Sequence, residues 1–257
     1  MERLLIIPDK DNLSASLSLA KEYKLGFEYN DFFNTDILDN EKLQLEIIEK
    51  YKSCELPENR TLHGAFMDIL PFSKDKKIKE VSLERINQSI NIARKLCVNA
   101  VVFHLNYNPC LNFESYIDSF IKQNIEVWGT IISDNSDINI YIENMFEKDP
   151  CILKRIALNL SKFKNFGICL DWAHASLSEV SPKDWSEVLS EYVKHIHIND
   201  NNLIVDQHLA WGDGDVEREL FYHCYNKYFN DATVLIETKS IENQKKSLKQ
   251  LELDGII

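Results

Sequence analysis

The stretch FGICLDW, residues 166–172, is followed by a helical pattern, PKDWSEVLSEYV, residues 182–193, and then by a second apolar run, KHIHIND, residues 194–200. Continuous apolar runs of this kind are typical of parallel strands that are covered on both faces. A strand, a helix and a further strand form the unit from which parallel sheets are built. The order of elements around residue 172 therefore predicts a parallel α/β protein.

The same alternation continues in both directions along the 257-residue chain and gives eight β-then-α units. Eight units in about 250 residues predict a closed (β/α)8 TIM barrel, with residues 1–257 as one domain. A doubly wound open sheet is the alternative, but the chain has no glycine-rich nucleotide-binding fingerprint and only 7 glycines. The predicted strands are RLLIIPD (3–9), LGFEYND (25–31), TLHGAF (61–66), AVVFHL (100–105), INIYIEN (138–144), FGICLDW (166–172), KHIHIND (194–200) and ATVLIET (232–238).

The helical segments between these strands show apolar residues at three- and four-residue steps. Residues 113–132 contain β-formers near Ile125, but their overall periodicity predicts a helix. The predicted helices are residues 14–23, 40–54, 82–97, 113–132, 151–160, 182–193, 216–229 and 241–253.

The charge and cysteine content limit the function classes. With 29 Lys and Arg against 41 Asp and Glu, the net charge of −12 repels a polyanion at long range, which weakens a broad nucleic-acid surface. Bound cations can still invert the field inside a cleft. The six cysteines form no CxxC pair, no signal peptide is evident and no window is apolar enough for a membrane span. We therefore expect a cytoplasmic protein without a membrane partner.

Ligand-type residues fall at the ends of the predicted strands, where barrel enzymes carry their catalytic groups. A lone histidine at a strand end is more often a hydrogen-bonded structural residue, and a lone carboxylate there is commonly a helix cap. The set carries more weight than its single members because the strand ends follow from periodicity, independently of which residues occupy them. The set comprises His63, His104, Glu143, Asp171 with His174 one turn beyond, His195 and His197, Asp206 with His208, and Glu237.

Histidine and carboxylate without cysteine are the ligand mixture of Zn, Mn, Mg or Fe(II), so the set predicts a divalent-metal site. His195 and His197 share one face of their strand, and His197 lies nearer the mouth of the barrel. His195 is one layer deeper and is expected to support the site or the core. The sequence GDGD at 212–215 resembles a turn and cap before the next helix, with Asp215 as the cap.

At these residues the chain resembles the xylose-isomerase-like TIM-barrel superfamily, which includes endonuclease IV and the sugar and sugar-phosphate isomerases and epimerases. The resemblance runs from about residue 62 to 240, and its motifs are LHGAF, VVFHLNY, YIENM, GICLDWAH, HIHIND, DQHLAWGDGD and LIET. It implies up to three zinc ions, held by His63, His104 and Glu143, by Glu143, Asp171, His197 and Glu237, and by His174, Asp206 and His208.

The resemblance leaves two reactions open. An enzyme of the endonuclease IV type hydrolyses a phosphoester and needs ligands for several ions, which accounts for the full set. A sugar isomerase or epimerase needs one ion, Mn or Mg, with Glu143 and Glu237 as acid and base and His174 on the substrate oxygen. A metal-binding barrel without catalysis is a third alternative.

The substrate is equally open at this level. Abasic DNA is the substrate that endonuclease IV implies, but the chain lacks a basic loop and is acidic. Phe66 and Met67 could form a wedge into a duplex, although such residues more often pack at the barrel mouth. A small phosphorylated or sugar substrate is the other expected partner, and the sequence does not define an oligomeric state.

Overall fold

The computed structural model describes residues 3–257, and its eight parallel strands close into a barrel. Each strand pairs with the next in chain order, and β8 pairs back with β1. The predicted TIM barrel is therefore confirmed. The strands are Leu4–Ile6 (β1), Gly26–Tyr29 (β2), Arg60–His63 (β3), Ala100–His104 (β4), Asn139–Glu143 (β5), Phe166–Asp171 (β6), Val193–Ile198 (β7) and Thr233–Ile236 (β8).

The helices lie between the strands and cover the outside of the barrel. The helix predicted over residues 113–132 is present as Glu114–Asp134, and its apolar stripe, including Phe120, Trp128 and Ile132, is buried. No helix within residues 3–257 is long and apolar enough to cross a membrane. The helices are Leu13–Tyr23 (α1), Thr35–Leu38 (α2), Glu41–Lys52 (α3), Lys76–Leu96 (α4), Glu114–Asp134 (α5), Cys151–Leu160 (α6), Trp172–Ser176 (α7), Pro182–Leu189 (α8), Arg218–Tyr228 (α9) and Ile241–Leu253 (α10).

Strand alternation decides which side chains enter the barrel interior. On β7, His195 and His197 share one face, and Ile196 and Ile198 share the other, because successive side chains point to opposite faces of a strand. All four are fully buried. The two histidines face charged groups of other strands, so the interior of the barrel near its C-terminal end is polar rather than apolar.

The loop between β7 and α9 is organised by the buried side chain of Asp200. Its Oδ1 accepts hydrogen bonds from the backbone N–H of Val216 at 3.0 Å and Asn201 at 2.9 Å, and its Oδ2 accepts one from Gly212 at 2.9 Å. The backbone of Asp200 also pairs with that of Leu209. This loop carries Asp206 and His208, so one carboxylate fixes the segment that holds two predicted ligands.

The prediction that Asp215 caps the next helix is wrong. Helix α9 begins at Arg218, and its N-cap is Glu217. Asp215 remains in the loop, where its N–H donates to the carbonyl of Asn201 at 2.8 Å. Gly214 is required there for close approach, because an added Cβ would lie 2.5 Å from the same carbonyl oxygen.

We expect Asp200→Ala to lower the free energy of unfolding by about 2–4 kcal/mol, because three backbone N–H groups lose a charged acceptor in a buried loop. Urea unfolding monitored by circular dichroism measures the change. Asp213→Ala is the matched control in the same loop: its side chain is 50% exposed and its ion pair with Lys246 spans 3.7 Å, so stability should change by less than about 0.5 kcal/mol. Equal stability of the two variants would contradict the role assigned to Asp200.

Candidate metal centre

The predicted ligands come from five strands, helix α7, the loop after β7 and the residue that follows β8, and they meet at the C-terminal end of the barrel. Four of them are the last residues of β3, β4, β5 and β6, and Glu237 follows β8 directly. A cavity of about 130 Å³ opens between them. Seven of the nine predicted ligands line this cavity: His63, His104, Glu143, His174, Asp206, His208 and Glu237. The other two, Asp171 and His197, are fully buried against this set.

The buried carboxylate of Glu143 is shared between two groups of ligands. Its Oε2 lies 3.3 Å from His104 Nε2 and 3.6 Å from His63 Nε2, and these two ring nitrogens are 3.2 Å apart. Its Oε1 lies 3.2 Å from His197 Nδ1. Each oxygen therefore faces a different set of histidines, which is the arrangement of a bridging carboxylate.

Two sets of the predicted ligands have ligand atoms that all lie within 4.8 Å of one another. One set is His63, His104 and Glu143, and the other is Glu143, Asp171, His197 and Glu237. Nitrogen and carboxylate ligands at this spacing fit the first coordination sphere of a divalent ion. The two sets share Glu143.

A third group joins His174 and His208 through Asp206. Asp206 Oδ2 lies 3.3 Å from His174 Nε2 and 2.8 Å from His208 Nε2. The side chain of His208 is 42% exposed, so this group lies at the rim, above the two buried sets. His208 has a φ of 48°, a left-handed backbone conformation that costs about 1–2 kcal/mol for a residue with a Cβ.

Backbone carbonyls fix the orientation of three of the histidine rings. With Nδ1 protonated, His63 donates to the carbonyl of Gly64 at 3.0 Å, His174 to Asn144 at 2.9 Å, and His208 to Glu237 at 3.1 Å. In each ring Nε2 is then left as the nitrogen that faces the other ligands. Metal-binding histidines are typically held in this way, with the second nitrogen bonded to a carbonyl or carboxylate.

Unpartnered buried atoms test whether these residues fit a cation. Within residues 3–257, Glu143 Oε2 and Asp171 Oδ2 accept no hydrogen bond. Neither ring nitrogen of His197 makes a hydrogen bond, although Nδ1 lies 3.2 Å from Glu143 Oε1 and Nε2 lies 3.2 Å from Glu28 Oε1 on the other side of the ring. Buried polar atoms are rarely left unsatisfied, and the exceptions require an explanation such as a bound ion. A divalent ion in the set around Glu143 and Asp171 would satisfy the two carboxylate oxygens and His197 Nδ1, so the residues fit the implied metal.

Burial raises the pKa of one acid of the site, and close contacts between the ligand-type residues raise the pKa values of three histidines. Burial, with the nearby carboxylates of Glu237 and Glu143, raises the pKa of Asp171 to about 8 against the opposing charge of His174. Burial lowers the pKa of His208, but its hydrogen bond to Asp206 and the surrounding carboxylates outweigh this effect and raise the pKa to about 9. Burial lowers the pKa values of His174 and His197, but Asp171 and Asp206 beside His174, and Cys169 with the carboxylate of Glu143 beside His197, outweigh it and hold both pKa values well above the ordinary histidine value.

The two glutamates have shifts in the opposite direction. Burial raises the pKa of Glu143, but the charges of His104 and His197 outweigh it and bring the pKa well below the ordinary value. The pKa of Glu237 is lowered for the same reason, through His197 and His208. Both carboxylates are therefore ionised and weakly basic at neutral pH.

Glu28 is a buried acid of the barrel interior that the reasoning from strand ends missed. It lies inside β2, and its Oε1 is 3.2 Å from His197 Nε2. Its Oε2 accepts hydrogen bonds from Thr61 at 2.6 Å and from His195 at 3.0 Å. In the sequence, Glu28 could have been recognised as an acid within an otherwise apolar strand. His195 lies in the deeper layer, as the sequence predicted.

The mouth of the site has an aromatic wall and a cation. The ring of Phe66 packs at 5.2 Å from the rings of Phe33, His63 and His104, while Met67 is 63% exposed. Lys239 lines the same cavity, with its ammonium group 5.9 Å from the centre of the Phe33 ring. A larger cavity of about 620 Å³ is lined by residues of α1 and 55–59, at the opposite end of β2, and does not include these ligands.

The relatives of this chain by sequence include uncharacterised proteins and a probable enzyme. An uncharacterised protein of Methanocaldococcus jannaschii is 27% identical over 97% of this chain and 93% of its own length. A probable endonuclease 4 of Ureaplasma urealyticum is 26% identical over 76% of this chain and 70% of its own length.

The fold matches solved structures of two enzyme types. The crystal structure of a D-tagatose 3-epimerase-like protein superposes with a TM-score of 0.77 and 24% identity, over 99% of this chain and 98% of the other. Endonuclease IV of Thermus thermophilus gives a TM-score of 0.67 and 15% identity over 98% of both chains. The model of the xylose isomerase-like TIM barrel family matches residues 19–253, so the chain belongs to this family.

Proposed function

We propose that this protein is a divalent-metal-dependent phosphoesterase with a multi-metal site of the endonuclease IV type. The observation that supports it best is that the site offers ligands for more than one ion. Glu143 is shared between two sets with all ligand atoms within 4.8 Å, and Asp206 joins two further histidines. A site for one ion needs only the set around Asp171, and would leave the other histidines without a role.

The proposed ion is zinc, with up to three per chain. His63, His104 and Glu143 would hold the first, Glu143, Asp171, His197 and Glu237 the second, and His174, Asp206 and His208 the third. Clustered divalent cations supply Lewis acidity, which lowers the pKa of water and neutralises the charge on phosphate oxygens. The chain itself orients the histidines through backbone carbonyls and excludes water with the Phe33 and Phe66 wall.

The position of Lys239 favours an anionic substrate. It lies at the rim of the cavity beside Asn30 and Phe33, within reach of a group that enters the site. No ion pair of Lys239 with a carboxylate is present within residues 3–257, so its charge is available to a ligand. We therefore propose a small phosphorylated compound as the substrate. Abasic DNA is the second candidate, disfavoured by the net charge of −12.

Sugar isomerisation or epimerisation is the alternative function. Glu143, Asp171, His197 and Glu237 form a self-sufficient set of four ligands for one Mn or Mg ion, which favours this alternative. The reaction also needs a carboxylate base beside the C–H bond, and an efficient base has a pKa near the working pH. Glu143 and Glu237 are both candidate ligands, and a nearby cation lowers the basicity of a carboxylate, so the set supports hydrolysis better.

The reaction is tested with protein reconstituted with zinc. We expect hydrolysis of p-nitrophenyl phosphate, bis-p-nitrophenyl phosphate or a duplex with an abasic-site analogue, measured by absorbance or on a gel. Exchange of solvent deuterium into D-tagatose, followed by NMR in the presence of Mn or Mg, tests the alternative. Exchange without any phosphoester cleavage would replace the hydrolase proposal by the epimerase.

Zinc binding should release protons, because Asp171, His174, His197 and His208 all have raised pKa values in the metal-free protein. A ligand must lose its proton to bind, so the apparent affinity should fall as the pH is lowered from about 8 to about 6, by about tenfold per pH unit for each displaced proton. Calorimetric titration in two buffers of different ionisation enthalpy measures the released protons. Equal affinity at both pH values would contradict this account of the site.

His208→Ala should remove one zinc ion per chain and reduce phosphoesterase activity by at least about 100-fold, because the rim group loses a ligand. Elemental analysis and the phosphoesterase assay together measure the two effects. His223→Ala is the matched control, since His223 is exposed on α9 and lies outside the site. Retained activity with full metal content in His208→Ala would show that the rim group does not hold a catalytic ion.

Lys239→Ala should raise KM for a small phosphoester by about tenfold and leave kcat nearly unchanged, because a charge-assisted hydrogen bond to the phosphate contributes about 1.5–3 kcal/mol. The difference between wild type and variant should shrink at high salt. Lys246→Ala is the control, because Lys246 on α10 pairs with Asp213 and Glu242 instead. An unchanged KM in Lys239→Ala would exclude Lys239 from substrate binding.

A further inference from the structure

A carboxylate is buried beneath the candidate metal centre. Glu28 is fully buried in the interior of the barrel. Burying a carboxylate costs several kcal/mol unless charged or hydrogen-bonding partners offset the loss of water. Two histidines and a threonine surround it, so the chain maintains a layer of polar groups where a TIM barrel ordinarily packs aliphatic side chains.

The layer extends across the barrel. In the closed sheet β1 and β8 separate β2 from β7, so Glu28 reaches across the interior to His195 and His197. His195 Nδ1 lies 2.6 Å from the hydroxyl of Thr233 on β8, and Thr61 on β3 donates to Glu28 at 2.6 Å. Four strands are thus joined through one carboxylate.

The ring of His197 connects this layer to the metal centre. Its Nδ1 faces Glu143 Oε1 at 3.2 Å and Glu237 Oε2 at 3.5 Å, while its Nε2 faces Glu28 Oε1 at 3.2 Å. When the Nε2–H points at the carboxylate, Nδ1 is left with its lone pair directed at the candidate ligands. A carboxylate behind a histidine ligand fixes its tautomer and raises its basicity.

We infer that Glu28 is a positioning residue, which holds the His197 ring and its tautomer so that Nδ1 serves as a metal ligand. This role rests on the metal centre proposed above, and it extends the centre to a residue outside the candidate ligand sets. Thr61 and His195 hold the other carboxylate oxygen, so the position of Glu28 is itself fixed.

A deep metal site is the competing account, because Cys169, His195 and His197 also have ligand atoms within 4.8 Å. The geometry favours the positioning role. Both ring nitrogens of His195 are already engaged, by Thr233 and Glu28, so neither is free for an ion. An ion bound there would also compete with the upper set for His197.

The test measures metal binding directly, without activity. Wild type, Glu28→Gln and Glu28→Asp are titrated with zinc against a chelator, and their Co(II) forms are compared by visible absorption. We expect Glu28→Gln to raise the zinc Kd by about 10–100-fold and to shift the cobalt ligand-field bands, because the amide cannot act as an anionic acceptor behind His197. Glu28→Asp keeps the charge and should recover part of the affinity and the wild-type bands.

Asn165→Ala is the control for a merely structural effect. It removes hydrogen bonds to the carbonyls of Ile132, Asn135 and Ile138 just before β6, at the opposite end of the barrel from the ligands, so it should lower Tm while leaving the cobalt spectrum unchanged. If both Glu28 variants retain wild-type zinc binding and cobalt spectra, the role of Glu28 is overturned, but the metal centre is not. No metal binding by wild type would overturn the metal centre as well.

The variant Cys169→Ala distinguishes a deep metal site from the positioning role of Glu28. The positioning role predicts the wild-type number of ions per chain and no thiolate-to-cobalt charge-transfer band in the wild-type near-ultraviolet spectrum. Loss of one ion in Cys169→Ala, or such a band in wild type, would establish the deep site and overturn the proposal.

Discussion

The shared carboxylate of Glu143 is the interaction on which the site depends. It is buried, and its cost is offset by histidines on both sides, at 3.3 Å for His104 and 3.2 Å for His197. Those histidines come from different strands, so they meet only because the parallel sheet closes and brings its C-terminal ends to one ring. Barrel closure and charge compensation are therefore mutually dependent: removing either would leave buried charges without partners.

Glu28, in the layer below this ring, is likewise a buried carboxylate whose charge is offset by histidines. The interior of the barrel is built in layers, and the layer beneath the ligands is polar rather than aliphatic because His197 needs an acceptor on its second nitrogen. His63, His174 and His208 obtain that partner from backbone carbonyls, which are available only at strand ends and in loops. His197 lies inside β7, where the carbonyls pair with neighbouring strands, so a side chain must supply the acceptor.

The barrel and the candidate ligands could both be predicted from the sequence, because both follow from local patterns. Strands are recognisable in the sequence as apolar runs. A His, Asp or Glu at the C-terminal end of such a run is expected at the mouth of the barrel. Glu28 was missed for a physical reason: it lies within a strand, and only the tilt and pairing of the closed barrel, which set Glu28 opposite Thr61, direct it inward. Asp215 was misjudged because intrinsic capping preference was outweighed by Asp200, which holds the N–H of Val216 and keeps the chain in the loop.

The choice between the two chemistries depends on how the rim group is maintained. His208 adopts a left-handed backbone conformation at a cost of about 1–2 kcal/mol, and the Asp200–Leu209 bridge and the Asp200 carboxylate hold the loop in place. A single-ion site built around Asp171 has no need of His208. A loop that is strained at this residue and anchored by a buried acid directs His208 Nε2 at the same Asp206 oxygen that faces His174. An additional cation at the rim would use all three groups, and the proposal of phosphoester hydrolysis rests on this arrangement.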